Sequence, residues 1–218
     1  MITITTIILT VLLSMRAFKD HNLMDKLIFD PQKVKAGEWH RLFTYGGIHA
    51  DYPHLIFNMF TLYFFGMDVE KICKLTLDSN IGSICFIVLY ISSLPISILP
   101  TYFKQKNNRT YRSLGASGAV SAIVFAYVLV NPMNFMGIMF IPVMLPAFLF
   151  GIIFLLVSFY LDRKQTGRIN HSAHISGGIY GLLYMTVVFF TLEDISLPVL
   201  FLEHIKIDSI SDLFYFGM

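Results

Sequence analysis

Six stretches of this chain are long, apolar and almost free of charge: residues 2–17, 53–71, 80–103, 115–131, 143–161 and 171–192. A helix needs roughly 20 mostly apolar residues to cross the hydrocarbon core of a bilayer, and the six runs come near that length. Backbone groups cannot remain unpaired in lipid, so such runs fold as helices. They lack the alternation that the strands of a membrane barrel would show. Of the 218 residues, 56% are hydrophobic and 14% charged, whereas a soluble domain carries about 25% charged residues. A soluble fold of this size could not cover so much apolar surface. The sequence predicts an all-α membrane protein, a six-helix bundle over residues 1–192. An amphipathic C-terminal tail, 193–218, is expected outside the bilayer.

Polar punctuation separates the spans, at Asp78-Ser79-Asn80, Lys104 to Arg112, Asn131-Pro132 and Asp162 to Asn170. The connection 18–52 is much longer and mixes apolar stretches with charges, and loops of that length are often functional. Within it, Trp39, Tyr45 and Tyr52 suit a membrane interface. The first run has no cationic segment before it and no small-residue cleavage site after it, so it reads as a span rather than a signal peptide. Cys73 and Cys85 lack metal-type spacing and read as small packing residues. The net charge is +2, with no basic patch for nucleic acid. No H-E-x-x-H motif suggests a metalloprotease, and neither a metal nor another cofactor is expected. Thirteen of the sixteen Lys and Arg lie in 16–52, 104–112 and 162–170, which the positive-inside rule assigns to the cytoplasm.

Strongly polar groups inside a membrane helix cost on the order of 2–3 kcal/mol each, so each asks for a reason. Three clusters stand out. His54 and Asn58, four apart at the start of the second span, share one helix face. By themselves they also fit interhelical hydrogen bonding. Gly115-Ala116-Ser117-Gly118 opens the fourth span. Its serine fits a helix cap, or a nucleophile beside backbone N–H groups able to hold an oxyanion. The flanking glycines would admit a substrate backbone. His174, in His171-Ser172-Ala173-His174, opens the sixth span and reads alone as a structural histidine or as a base.

Together the clusters say more. All three lie at the starts of even-numbered spans, which face one side of the membrane in a simple serpentine. A nucleophile, a base and oxyanion donors can then meet in one wet cavity, the inventory of acyl transfer. Small residues recur every four positions at Gly118, Ala122 and Ala126, and at Ala173, Gly177 and Gly181. Such stripes let helix backbones approach closely, which would bring Ser117 within roughly 2.6–3.2 Å of His174.

These residues resemble the rhomboid protease family. The likeness runs from about Glu38 to Gly181 and includes Arg41, His49, His54-x-x-x-Asn58, Gly115-Ala116-Ser117-Gly118 and Ala173-His174-x-x-Gly177-x-x-x-Gly181. The resemblance implies a six-helix rhomboid-like bundle and a serine endopeptidase that cuts transmembrane segments of other membrane proteins. Ser117 would be the nucleophile and His174 the base, in a dyad without an acidic member. The Ser117 backbone N–H and the side chains of His54 and Asn58 would hold the oxyanion. Arg41 and His49 would shape the first loop, Gly115 and Gly118 would flank the nucleophile, and Gly177 and Gly181 would pack the sixth helix on the fourth. The family's site opens away from the cytoplasm, opposite to the charge count, and the fifth helix with its preceding loop is thought to gate substrate entry. A multi-pass position in the cell (inner) membrane is expected. Two departures are visible: His40 stands where Trp usually precedes the arginine, and Ser121 stands where an aromatic usually stacks on the base. The alternatives are an inactive relative that binds membrane helices and a small transporter with a polar path.

Overall fold

The computed structural model describes residues 1–137, 142–164 and 169–216. Helix α1 (Ile2–Lys19) leads into the long connection, which folds as three short helices, α2 (His21–Leu27), α3 (Pro31–Lys35) and α4 (Arg41–Thr44). Five longer helices follow: α5 (Tyr52–Thr76), α6 (Ser79–Gln105), α7 (Ser117–Val130), α8 (Ala147–Lys164) and α9 (His171–Glu193). With α1 they occupy the six apolar runs, so the chain is a helical membrane bundle. By length and composition alone α1, α6 and α9 can cross a membrane. Helix α5 mixes His54, Asn58, Asp68, Glu70 and Lys71 into its apolar sequence, and α8 ends in Asp162-Arg163-Lys164.

Helix α7 has 14 residues, 11 of them buried, because α5, α6 and α9 pack around it. A helix enclosed by protein need not match the thickness of the hydrocarbon. The outer helices instead expose large apolar side chains such as Leu9, Leu12, Ile84, Leu156 and Leu183. In water such a surface would be an aggregation hazard; in lipid it faces its own solvent.

The small-residue stripes meet as their spacing predicts. A Cβ at Gly177 would overlap the carbonyl of Gly118, and one at Gly181 the carbonyl of Ala122, so α7 and α9 touch backbone to backbone. Near the opposite ends of α5 and α6, Gly82 lies against the backbone of Cys73. Cys73 and Cys85 are both buried free thiols, as packing residues should be.

Charged groups inside the bundle are paired. Glu70 of α5 is 2% exposed. It accepts the otherwise unpaired N–H groups of Ile2 and Thr3 at 3.0 and 2.8 Å and the Thr3 hydroxyl at 2.7 Å, and it forms an ion pair with Lys74. The carboxylate thereby caps α1 and fastens it to α5.

Several boundaries shift from the sequence expectation, the largest being the end of α5 at Thr76 rather than 71, and two of the starts have a local cause. The fourth span begins at Ser117 rather than 115, because Gly115 takes a φ of +109° and turns the chain just before the helix. The fifth begins at Ala147 rather than 143, because Met144–Pro146 form strand β2, antiparallel to β1 (Phe135–Gly137). Residues 138–141, in the loop expected before the fifth helix, and 165–168, in the connection 162–170, lie outside the described residues, as do 217–218 of the tail. The tail is tied to the bundle: α10 (Leu197–His204) buries Leu197, and Tyr215 exchanges backbone bonds of 2.8 and 2.9 Å with Met144.

Candidate active site

The segment before α7 is held by the first connection. Phe29 and Ser113 pair reciprocally at 3.0 and 3.2 Å, and the Gly115 N–H donates to the Tyr45 carbonyl at 2.9 Å. Ser117 is then the first residue of α7, and the N-cap is Ala116. The Ser117 hydroxyl is therefore not the helix cap.

His174 rides on the first turn of α9, whose N-cap is Asn170. The Asn170 Oδ1 accepts the Ala173 N–H at 3.1 Å and the Thr101 hydroxyl of α6 at 2.9 Å. With α7 and α9 in backbone contact, His174 Nε2 lies 2.8 Å from Ser117 Oγ. Both line a cavity of about 890 Å³, together with His54, Gly118, Asn170 and His171.

The structure also brings His54 to the turn before Ser117: a Cβ on Gly115 would lie 2.8 Å from His54 Nε2. Asn58, one turn further along α5, is buried and donates Nδ2 to the His54 carbonyl at 2.8 Å. A side-chain amide has two N–H groups, so that bond leaves one for another acceptor.

His49 sits beneath the turn, fully buried, with its ring 5.0 Å from that of His54. Its Nε2 accepts the Ala116 N–H at 3.4 Å. The proton of the neutral ring is then on Nδ1, facing Ser14 Oγ of α1 at 3.0 Å, while that hydroxyl donates to the Gly47 carbonyl at 3.1 Å. Burial pushes the imidazole down from 6.5 to about 3, with His54 adding to the shift and Asp51 opposing it. Between these values the unfolded chain binds a proton that the folded chain refuses. Stability should fall as pH drops from about 6.5 toward 3, by up to about 1.4 kcal/mol per pH unit from this group. Replacing His49 by Gln is expected to flatten the acid limb of the Tm–pH curve; parallel limbs for the two proteins would rule His49 out as its source.

Arg41, 2% exposed, staples the same loop. Its Nε binds Glu38 at 2.7 Å, and one terminal nitrogen donates to the carbonyls of Asp25 at 2.6 Å and Ile28 at 2.8 Å. Tyr45 corrects an expectation. It is buried rather than interfacial, because its hydroxyl reaches into α6 and donates to the Leu94 carbonyl at 2.8 Å. Trp39 and Tyr52 are exposed.

The family model for the Rhomboid domain matches residues 36–190. The chain belongs to the rhomboid family. Among curated relatives it is 29% identical over 171 residues to "RHOMBOID-like protein 12, mitochondrial" of Arabidopsis thaliana, covering 74% of this chain and 50% of that one. It is 28% identical over 141 residues to "Presenilin-associated rhomboid-like protein A, mitochondrial" of Danio rerio, covering 63% and 34%. It is 31% identical over 94 residues to a Bacillus subtilis protein provisionally named a rhomboid protease, covering 43% and 42%. The matches thus span half or less of each relative's length.

In this rhomboid, Ser121 is buried on α7 and no ring stands at that position. A ring from another helix lies beside the histidine: Phe154 of α8 has its centroid 6.1 Å from that of His174, with the planes 31° apart. Sequence reasoning missed two residues here. Asn170 carried a readable signal, an Asn before an apolar run. Phe154 carried none, being one Phe among several on an apolar helix.

Proposed function

We propose that this rhomboid is an intramembrane serine endopeptidase that cleaves transmembrane segments of other membrane proteins. The 2.8 Å approach of Ser117 Oγ to His174 Nε2, inside a cavity among the helices, carries this reading. Ser117 attacks a backbone carbonyl as its proton passes to His174, and the imidazolium then protonates the leaving amine. The acyl-enzyme forms at the N-terminus of α7, where the Ser117 N–H and the helix dipole favour the oxyanion. His54 and the second N–H of Asn58 complete the oxyanion site. His49 and Arg41 act at a distance, by fixing the turn that aims Ser117. Deacylation takes its water from the cavity. Preferred substrates are single-span proteins whose helix unwinds readily, since the carbonyl must leave its helical bond before attack.

The cell membrane is the proposed location. Mitochondrial names among the relatives make an organelle membrane the alternative, which fractionation distinguishes. The reaction itself is tested by incubating a purified single-span protein with wild type and with Ser117→Ala in detergent or liposomes. Product is expected from wild type only. Equal cleavage by both, or binding of the substrate by wild type without cleavage, would overturn the proposal.

A further inference from the structure

Within the dyad, Ser117 is fixed by its helix and the braced turn, but His174 needs its ring held as well. Asp162 of α8 lines the same cavity and forms an ion pair with Lys104 at 3.1 Å, while the imidazole Nε2 faces Ser117. The ring needs support on its faces, in the way a third triad member orients a catalytic histidine. The His171 ring meets the His174 ring edge-on at 5.9 Å. A second ring neighbour among the described residues is Phe154, tilted by 31° with its centroid at 6.1 Å. Phe154 is itself fixed by two rings: Phe125 of α7 at 5.9 Å, and Phe150, stacked one turn back on α8, at 6.4 Å.

We propose that Phe154 is the positioning residue for His174, an aromatic plate on α8 that holds the imidazole in line with Ser117 Oγ. The proposal rests on the Ser117–His174 dyad of the preceding section. It follows from the contacts: the imidazole can turn about its side-chain bonds, and a bulky apolar ring beside it narrows the orientations open to a ring whose Nε2 lies 2.8 Å from the hydroxyl. Ring pairs with centroids within about 4.5–7 Å attract one another, which favours one ring orientation over others of similar energy. The plate comes from a different helix than the nucleophile. The base is thus aligned only while α8 lies against α7 and α9, and the position of α8 is built into the competence of the dyad.

The test compares Phe154→Leu, Phe154→Tyr and Phe150→Leu with wild type by three readouts: the rate of fluorophosphonate labelling at Ser117, kcat and KM on a single-span substrate, and Tm. The probe is small and reports the dyad without passage of a helix. Phe154→Leu is expected to slow labelling and lower kcat about tenfold, within the range by which slight misplacement of reacting groups slows catalysis, with KM and Tm near wild type. Phe154→Tyr, which keeps the ring, should restore most of the rate. Phe150→Leu removes similar packing from α8 and one of the two rings that hold Phe154, but leaves the ring beside His174 in place, and should slow labelling clearly less than Phe154→Leu. Labelling of Phe154→Leu at the wild-type rate overturns the role of Phe154. So does a Phe150→Leu defect of equal size, or a loss in Phe154→Leu that tracks its Tm. Failure of wild type itself to label at Ser117 would instead overturn the dyad.

Discussion

In a reconstituted cleavage assay, His174→Ala is expected to lower kcat by a factor on the order of 10⁴–10⁶, and adding Ser117→Ala to it should cost almost nothing more. The reason is that the two side chains perform one act. A serine hydroxyl is a weak nucleophile until a base takes its proton, and Ser117 has its hydrogen bond to His174 at 2.8 Å. Without the imidazole, the hydroxyl keeps its proton and the oxyanion donors have no tetrahedral intermediate to stabilise. Without the hydroxyl, the imidazole has nothing to activate in the first step. The double variant should therefore match the single ones, while substrate capture and Tm stay close to wild type. Additive losses in the double variant would mean that the two residues act independently, and the shared-proton mechanism would have to be abandoned.

The second large effect is structural. Gly181→Val should destabilise the bundle by more than the 1–3 kcal/mol usual for an overpacked core, and should abolish activity with it. A Cβ at Gly181 would overlap the Ala122 carbonyl. A backbone atom cannot swing aside as a side-chain tip can, so relief requires α7 and α9 to separate. Gly181 lies seven residues beyond His174, about 10 Å along the helix axis, and the separation would pull the imidazole from the hydroxyl. Gly151→Ala is the matched comparison: a Cβ there would meet Phe125 and Val128 side-chain atoms at 3.4 Å, ordinary contact distance. Thermal unfolding in one detergent should show a large loss of Tm for Gly181→Val and almost none for Gly151→Ala. Similar losses would mean that the backbone contact of α7 and α9 is not what sets stability.

Much of this was legible before any coordinates. The six apolar runs located the long helices, and the glycine and alanine stripes told which two would touch. The polar side chains of His54, Ser117 and His174 could be assigned to one end of the bundle from the parity of their spans. The ends of the spans were less legible, because Gly115 and the pairing of β2 stop helices that hydropathy alone would extend. The folding of the long first connection was not legible. Arg41 grips carbonyls 13 and 16 residues away, and the bonds of His49 to Ser14 and Ala116 cross 35 and 67 residues. Contacts to backbone at such separations leave no periodic trace. Tyr45 shows the same limit: an aromatic in a loop suits a membrane interface, and only the carbonyl of Leu94 decides that it turns inward.

Helix α8 is held by backbone bonds where it begins and by the Lys104–Asp162 ion pair, at 3.1 Å, near its end. The Ala147 and Phe148 N–H groups donate to the carbonyls of Asn134 and Pro132 at 2.8 and 2.9 Å, and the residues just before the helix are bound to Tyr215 of the tail. Ala147, Gly151 and Ser158 are its buried residues. Such a rod resembles a door hinged at Ala147, with the Lys104–Asp162 ion pair as its latch. A swing of about 10° about Ala147 would carry Leu161, about 21 Å along the rod, sideways by about 4 Å, and Phe154 by about 2 Å. One small rotation would thus widen the flank of the cavity and withdraw the ring beside His174, so that a door left ajar would not cut.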